Sequence, residues 1–221
     1  MGISSFLRAL LGNQPLFTLD VPGFDLRVVR FTGQEGISSL FGFRLELAGQ
    51  DVDIAALVDK PALLTVAGVD APRLVHGVLS EFEYVGQTRD LELYEADLVP
   101  WIWRLQHRQD CRIFQDKTTP QILEAVLTGA RLPRDWLRFN LSAEYAPRNY
   151  CVQYHESDFA FISRLMEEDG IFYYFEHDED KHVLVIADHP GAHPPIPGLP
   201  LLWFNAPGGE VADREHVRVF R

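Results

Sequence analysis

The clearest hydrophobic pattern in the chain lies in residues 40–47, where Phe41, Phe43, Leu45 and Leu47 alternate with small or charged residues. Alternation with a period of two predicts an antiparallel strand that buries one face. Comparable apolar runs predict five further strands at Leu16–Leu19, Phe24–Phe31, Leu63–Ala67, Leu74–Val85 and Leu91–Val99. Several strands separated by turns, with little helix, indicate an antiparallel barrel or sandwich.

After Pro100 the spacing of apolar residues changes from strand-like to helical. A helix is predicted to begin at Pro120, because proline is favoured at the first helical position and a threonine before it can cap the exposed amides. Gly129 is predicted to stop this helix. Four apolar residues line its predicted buried face: Ile122, Leu123, Val126 and Leu127.

A strand, a helix and a hairpin are predicted to follow. Tyr150, Val152 and Tyr154 alternate along the strand and give it one apolar face. Ser157 is the predicted N-cap of the helix, which should bury Phe159, Phe161, Ile162, Leu165 and Met166. After Gly170 ends the helix, the hairpin is predicted to comprise Ile171–Glu176, a polar and solvated turn at His177–His182, and Val183–Asp188.

The change of pattern near Pro100 predicts two domains. Residues 1–100 are expected to form a first β-barrel-like domain, and residues 101–221 a second α+β domain. A strand-like run at residues 216–221 is followed by no turn or cap, so we expect the second domain to be incomplete at its C-terminal end. The predicted fold class is α+β, mainly antiparallel β, with a few short helices.

Composition narrows the range of partners and compartments. A net charge of −12 argues against nucleic acid and against an anionic membrane surface, because binding phosphate requires clustered Lys and Arg. No apolar run reaches the roughly 20 residues that span a bilayer. Arg8 interrupts the apolar N-terminal run and no cleavage site follows, so no signal peptide is predicted. Cys111 and Cys151 are isolated thiols that fit a reducing cytosol, although a single disulfide between them stays open.

Two groups of residues were considered as sites for chemistry. His155, Glu156 and Asp158 could form an acid–base or metal site, but a strand-to-helix connection with a capping carboxylate explains them better. The histidines near Asp188 could form a weak metal site, but a solvated loop explains them better; they are His182, His189 and His193. The chain lacks a phosphate-binding glycine loop, a dinucleotide fingerprint and an HExxH motif. We therefore expect no catalytic residue, no cofactor and no metal, and a protein that is not an enzyme.

Three blocks of residues, in the same order along the chain, resemble the valine-glycine repeat protein (VgrG) family. The first runs from His76-Gly77-Val78 through Tyr94 and Leu98 to Pro100-Trp101. The second is Arg112–Lys117, which leads into the helix at Pro120. The third extends from Arg148 to Phe172 and includes the motifs Tyr150–Tyr154, Glu156-Ser157-Asp158, Arg164-Leu165 and Gly170-Ile171-Phe172. The resemblance covers most of the chain from about Leu74 to Phe175.

This resemblance implies a structural hub at the tip of a type VI secretion machine, with barrel-like domains related to phage tail hubs. In that family two domains per subunit in a homotrimer form a pseudo-sixfold ring, which adapts a sixfold inner tube to a threefold needle. The implied partners are sister subunits, an Hcp-like tube ring, baseplate proteins, and effector or adaptor proteins. The implied location is the cytoplasm before firing, followed by secretion through the machine without a signal peptide.

Two alternatives stay open at this point. A phage tail baseplate hub would show nearly the same sequence features. A metal-assisted hydrolase that uses His155, Glu156 and Asp158 belongs to a different class, and it would require bound metal or an activity that depends on His155.

Overall fold

The computed structural model describes residues 16–68, 71–88 and 91–193, and the backbone alone at residues 203–204 and 216–217. The N-terminal segment examined for a leader and the end of the predicted second domain lie outside the described residues, apart from those two short strands. The strands are β1 (Phe17–Asp20), β2 (Arg27–Gln34), β3 (Gly42–Gly49), β4 (Pro61–Val66), β5 (Arg73–Gln87), β6 (Glu92–Val99), β7 (Gln109–Phe114), β8 (Leu137–Asn140), β9 (Cys151–Ser157), β10 (Phe172–His177), β11 (His182–Ala187), β12 (Trp203–Phe204) and β13 (His216–Val217). The α-helices are α1 (Thr119–Gly129) and α2 (Asp158–Glu168), and short 3-10 helices lie at Ile54–Ala56, Trp101–Gln106, Arg134–Trp136 and Pro190–Ala192.

Strands β1 to β6 form one antiparallel sheet in the order β1-β4-β5-β6-β3-β2. Its two edge strands approach each other through a bridge between Val21 and Phe24 and an edge-to-face contact of Phe17 with Phe31, whose ring centroids are 5.0 Å apart. Two bulges in the long strand β5 bend it, as closure of a sheet requires. The sheet is therefore nearly closed, which confirms the predicted barrel-like antiparallel fold.

The barrel core follows the predicted alternation. Phe41, Phe43, Leu45 and Leu47 are between 0% and 5% exposed. Each side chain of this size contributes about 1.5–3 kcal/mol when it leaves water, so β3 alone supplies a large part of the driving force for the barrel.

The second core is built around α1 and α2. Thr118 and Gln121 form a capping box at the start of α1, and Ser157 caps α2 by accepting a hydrogen bond from the backbone N–H of Ala160. Gly170, with φ of +69°, ends α2 in the left-handed conformation as predicted. All four apolar residues predicted for the face of α1 are fully buried; on α2 Phe161, Ile162, Leu165 and Met166 are buried and Phe159 is partly buried.

In strand β9 the apolar face is exposed and the opposite face is buried. Cys151 and Gln153 are buried, whereas Tyr150 and Tyr154 are 60% and 72% exposed. The alternation was predicted correctly, but it does not identify the core face. Gln153 takes the inner position because its amide is bound by a buried charged network described below.

The predicted solvated turn between β10 and β11 is wrong at both ends. The strands extend through His177 and His182, which pair with each other, and His182 is only 2% exposed. The solvated part is limited to residues 178–180. His182 is buried and His177 is partly buried because both pack against the barrel, a contact that the local sequence does not reveal.

Candidate functional site

The residues considered for acid–base chemistry lie where β9 meets α2. His155 is exposed, has φ of +49°, and places its ring 4.5 Å from that of Tyr154. Glu156 accepts a hydrogen bond of 2.7 Å from Arg164, and Asp158 is fully buried. The three side chains differ in burial and in partner, which fits the strand-to-helix connection better than a shared reaction centre.

Asp158 is the centre of a buried charged network. Its Oδ1 accepts hydrogen bonds from the Arg112 guanidinium and, at 2.8 Å, from Gln153 Nε2, while its Oδ2 lies 3.1 Å from Arg108 Nε. The backbone N–H of Asp158 donates to the carbonyl of Arg108 at 2.7 Å. Because a buried carboxylate is tolerated only when its charge is compensated, this network fixes β7, β9 and the start of α2 relative to one another.

Arg148 connects the beginning of α1 to the end of α2. Its guanidinium donates to Thr119 Oγ1 at 3.1 Å, to Glu168 at 2.7 Å and to Asp169 at 3.1 Å. The hydrogen bond from Arg148 holds the pKa of Glu168 below its ordinary value. A carboxylate at a helix C-terminus is otherwise unfavourable, so the arginine offsets the helix dipole and joins the two helices.

Two buried histidines and one partly buried histidine lie where the barrel meets the second core. We call His76 on β5, His177 at the end of β10 and His182 at the start of β11 the histidine junction. The Nδ1 atoms of His76 and His182 are 3.0 Å apart, and His177 Nδ1 lies 3.2 Å from both the backbone N and the carbonyl O of His76. The backbone N–H of Trp101 donates to His182 Nε2 at 2.9 Å. The junction therefore joins both halves of the chain through direct polar contacts.

Aromatic rings enclose the histidine junction. The ring centroid of Phe41 lies 5.0 Å from that of His177, and the centroid of Trp136 lies 4.8 Å from that of His182. Burial lowers the pKa of His182 to about 3, with the neighbouring imidazoles adding to the effect, and lowers the pKa of His177 to about 4. The pKa of His76 is lowered for the same reason. All three imidazoles are neutral at pH 7.

Asp188 organises the loop after β8. Its carboxylate accepts hydrogen bonds from the backbone N–H groups of Ser142 and Ala143, at 2.9 and 2.7 Å, and from the Tyr145 hydroxyl at 3.0 Å. Desolvation acts in the opposite direction, but these donors hold the pKa of Asp188 at about 2. The carboxylate is thus committed to fixing a loop.

The weak metal site considered near Asp188 is dispersed. His182 belongs to the histidine junction, and the ring of His193 stacks on Phe172 with centroids 4.9 Å apart. Within the described residues, no group of three or more His, Cys, Asp or Glu side chains is arranged to hold a metal ion. Cys111 and Cys151 are both free thiols. None of the helices in the described part of the chain has the length and apolar character to cross a bilayer.

One exposed apolar surface lies on the outer side of the β7–β9 ribbon. We call Ile113, Tyr150, Val152 and Tyr154 the ribbon face. Ile113 pairs with Val152 across the ribbon, and Ile113, Tyr150 and Tyr154 are at least 60% exposed. Large apolar side chains gathered at one exposed place are typical of a protein–protein contact.

The histidine junction was not predicted from the sequence. His76 lies between Val75 and Val78 in an apolar run, which indicates a buried strand position, and this was a usable signal for a histidine in the core. His177 and His182 gave no comparable signal, because polar residues between two strands are typical of a solvated turn.

Comparison with known proteins places the chain among hub and spike proteins. Residues 34–221 match the phage tail baseplate hub family, GPD. The type VI secretion system spike protein VgrG4b of Pseudomonas aeruginosa is 37% identical over 94% of this chain, and VgrG1b of the same species is 35% identical over 86%. In both cases the chain spans only 26% of the relative's length.

Solved structures agree with this placement. The E. coli c3393 protein, described as a component of the type VI secretion system with structural similarity to T4 bacteriophage tail proteins gp27 and gp5, superposes with a TM-score of 0.75 at 28% identity. That match covers 80% of this chain and 50% of the other. The tail protein of Neisseria meningitidis shares the fold alone, with a TM-score of 0.57 at 9% identity over 90% of this chain and 57% of the other. The chain therefore belongs to the phage tail baseplate hub family, within the group of type VI secretion spike proteins known as VgrG.

Proposed function

We propose that this chain is the hub part of a type VI secretion spike, where it adapts a sixfold inner tube to a threefold needle and helps to carry effectors. The observation that carries the proposal is 37% identity to a spike protein over 94% of the chain. The TM-score of 0.75 to a type VI secretion component supports it.

The adapter role follows from symmetry. Two similar domains in each of three subunits present six similar surfaces to a sixfold partner while the needle side keeps threefold symmetry. We propose the division at residues 1–100 and 101–221 for these two domains. Two separate buried clusters support it, since one draws its buried residues from Leu19–Leu98 and the other from Ile102–Ile186.

The ribbon face is the proposed contact with a sister subunit. Among the described strands, β7 and β9 pair only with each other, so each offers a free strand edge next to exposed apolar side chains. Free edges of this kind are a ready template for pairing with another chain. A sister subunit in a homotrimer would cover both the edge and the ribbon face.

The remaining parts of the proposal concern partners, location and activity. The other partners are an Hcp-like tube ring, baseplate proteins, and effector or adaptor proteins. The protein acts in the cytoplasm before firing and then leaves through the machine. It has no catalytic task, which is supported by the names of its relatives and by the engagement of Glu156 and Asp158 with arginines.

Deletion of the full reading frame tests the main proposal. In a strain without other spike genes, we expect deletion to remove the tube protein from the culture supernatant and the intact gene to restore it. Undiminished release of tube protein after deletion would contradict a spike role.

The ribbon face is tested separately with a double variant, Tyr150→Ser with Tyr154→Ser, in the complete protein. We expect loss of the trimer by light scattering and loss of tube-protein release. Tyr84→Ser is the matched control, because Tyr84 is 45% exposed on the barrel. Normal trimers in the double variant would show that the sister-subunit contact lies on another surface.

A phage tail hub is the second candidate, because the matched family is named for that structure. The Shewanella oneidensis prophage tail protein shares the fold at 12% identity with a TM-score of 0.51, far from the 37% identity to a spike protein. Finding the chain in purified phage particles, with no effect on tube-protein release, would favour the phage role.

A further inference from the structure

The histidine junction has no role in the proposed function, yet it concentrates three ionisable rings between the barrel and the second core. We propose that it is an acid-sensitive latch, which holds the barrel against the second core while its rings are neutral and releases it when they bind protons. This inference stands independently of the spike role.

The hydrogen bonds of His76 and His182 require neutral rings. His182 Nε2 accepts the backbone N–H of Trp101, so the proton of neutral His182 lies on Nδ1. That proton can only be donated to His76 Nδ1 at 3.0 Å, which places the proton of His76 on Nε2. Protonation of His182 would break the bond to Trp101, and protonation of His76 would set two N–H groups against each other.

The neighbouring charges do little to stabilise a protonated junction. Glu35 Oε1 lies 3.6 Å from His177 Nε2, but Glu35 already forms an ion pair with Arg73. In addition to burial, the positive charge of Arg73 lowers the pKa of His177. Asp180, in the turn between β10 and β11, favours protonation of His76 only as a minor effect. His177 Nε2 is itself buried without a hydrogen-bond partner.

Two ion pairs lie on the adjoining elements, and the carboxylates of Asp178 and Glu179 are exposed in the turn after His177. Lys181 lies 3.3 Å from Asp135, and Arg104 lies 2.9 Å from Asp59. Protons that bind to both His76 and His182 would place like charges about 3 Å apart, and none of the ion pairs among the described residues includes either ring.

Release can leave both cores intact, because the buried residues of the two apolar clusters come from separate parts of the chain. Phe175 packs against both buried clusters, with its ring 5.1 Å from Phe41, and the backbone N–H of Ser38 donates to the carbonyl of Tyr173 at 2.8 Å. Leu40 also packs against the second cluster, and the Arg104–Asp59 ion pair crosses the same boundary, so release would break these contacts as well.

The direction of the pH effect follows from proton binding. The closed junction keeps its histidines neutral, whereas in the released state they regain pKa values near 6.5. The released state therefore binds more protons, and acid favours it below about pH 6.5.

Ring nitrogen chemical shifts of the whole chain test the closed state. At pH 7.5 we expect His182 to carry its proton on Nδ1 and His76 to carry its proton on Nε2. The opposite tautomers, or a protonated ring at this pH, would overturn the proposal.

A pH titration tests the release. Small-angle scattering should show expansion between pH 6.5 and 4 while far-UV circular dichroism is unchanged, and the logarithm of the released-to-closed ratio should change by about three per pH unit for three protons. In His76→Asn, which keeps an acceptor near the Nδ1 position, this slope should fall to about two.

His155→Asn is the matched control, because His155 is exposed and asparagine tolerates its positive φ. The control should titrate like the unaltered chain. Absence of expansion down to pH 4, equal effects of both variants, or expansion that coincides with loss of circular dichroism would each overturn the latch.

Discussion

The barrel and the second core are held together by different chemistry. The barrel buries Phe41, Leu45 and Leu47 in regular alternation. The second core also has apolar helix faces, but it buries Gln153 and Asp158 completely and closes against the barrel through neutral histidines. Periodic apolar burial suffices to define a sheet, whereas positioning helices and ribbons around it requires specific polar contacts.

This difference has a physical reason. The strands of the barrel are neighbours along the chain for most of their pairings, and their large apolar side chains all lie on the face that turns inward. The ribbon of β7 and β9 joins residues about 40 apart, and the Arg112–Gln153 and Arg112–Asp158 hydrogen bonds fix its register. The second core should therefore be more sensitive to the loss of a single polar group.

The largest expected effect comes from placing a charge in the second core. Leu165 is fully buried on α2. We expect Leu165→Asp to abolish cooperative folding of the second core, because an unpaired buried charge costs many kcal/mol. The check is soluble yield together with a thermal melt, and a soluble Leu165→Asp protein that melts cooperatively would show that the helix face is assigned wrongly.

Removal of the buried carboxylate should have the next largest effect. Asp158→Ala leaves Arg108 and Arg112 without their buried partner, and we expect a loss of about 3–5 kcal/mol in the free energy of unfolding by urea. Asp110→Ala is the matched control, since Asp110 is 3.4 Å from the same Arg112 but 41% exposed. The control should cost at most about 1 kcal/mol, and equal losses would mean that burial does not distinguish the two carboxylates.

Acid should weaken the contact between the two regions. His177 and His182 have pKa values of about 4 and 3 when folded, against about 6.5 when unfolded. Depressed histidine pKa values mean that the unfolded chain binds more protons, so stability is full above pH 6.5 and falls as pH decreases towards 4 and 3. We expect a loss of about 3 kcal/mol between pH 6.5 and pH 5, measured by urea unfolding; equal stability at both values would show that the rings titrate normally.

The smallest predicted effect tests packing inside the barrel. A Cβ on Gly77 would lie 2.8 Å from both Leu98 Cδ1 and the carbonyl O of Val99. We expect Gly77→Ala to lower the free energy of unfolding by about 1–3 kcal/mol through overpacking. Gly42→Ala is the control, because a Cβ there meets nothing within 4 Å. Little change in Gly77→Ala would show that the barrel relaxes more readily than the second core.

Local sequence signals predicted the elements of both regions well. The strand around Phe43, the capped helix at Pro120 and the helix from Ser157 to Gly170 have the expected bounds within a few residues. These features depend on residues that are only a few positions apart in the sequence. The mainly antiparallel, barrel-like fold was confirmed, while the domain boundary near Pro100 stays a prediction.

The faces and partners of polar residues were less predictable. Tyr150 and Tyr154 alternate as a buried face would, yet they point outward, because Gln153 binds Arg112 and Asp158 on the inner side. Alternation defines two faces but not which of them meets the core. That choice depends on residues brought together from distant parts of the chain.

The sequence by itself determined the strands, the helix caps and the family, because each follows from spacing and residue type within short segments. Only the tertiary structure revealed that His76 meets His177 and His182, about 100 residues further along. The surroundings of a histidine decide whether its ring is neutral or charged. Here packing against the barrel removes the rings from water and keeps them neutral. The same tertiary packing left the ribbon face exposed.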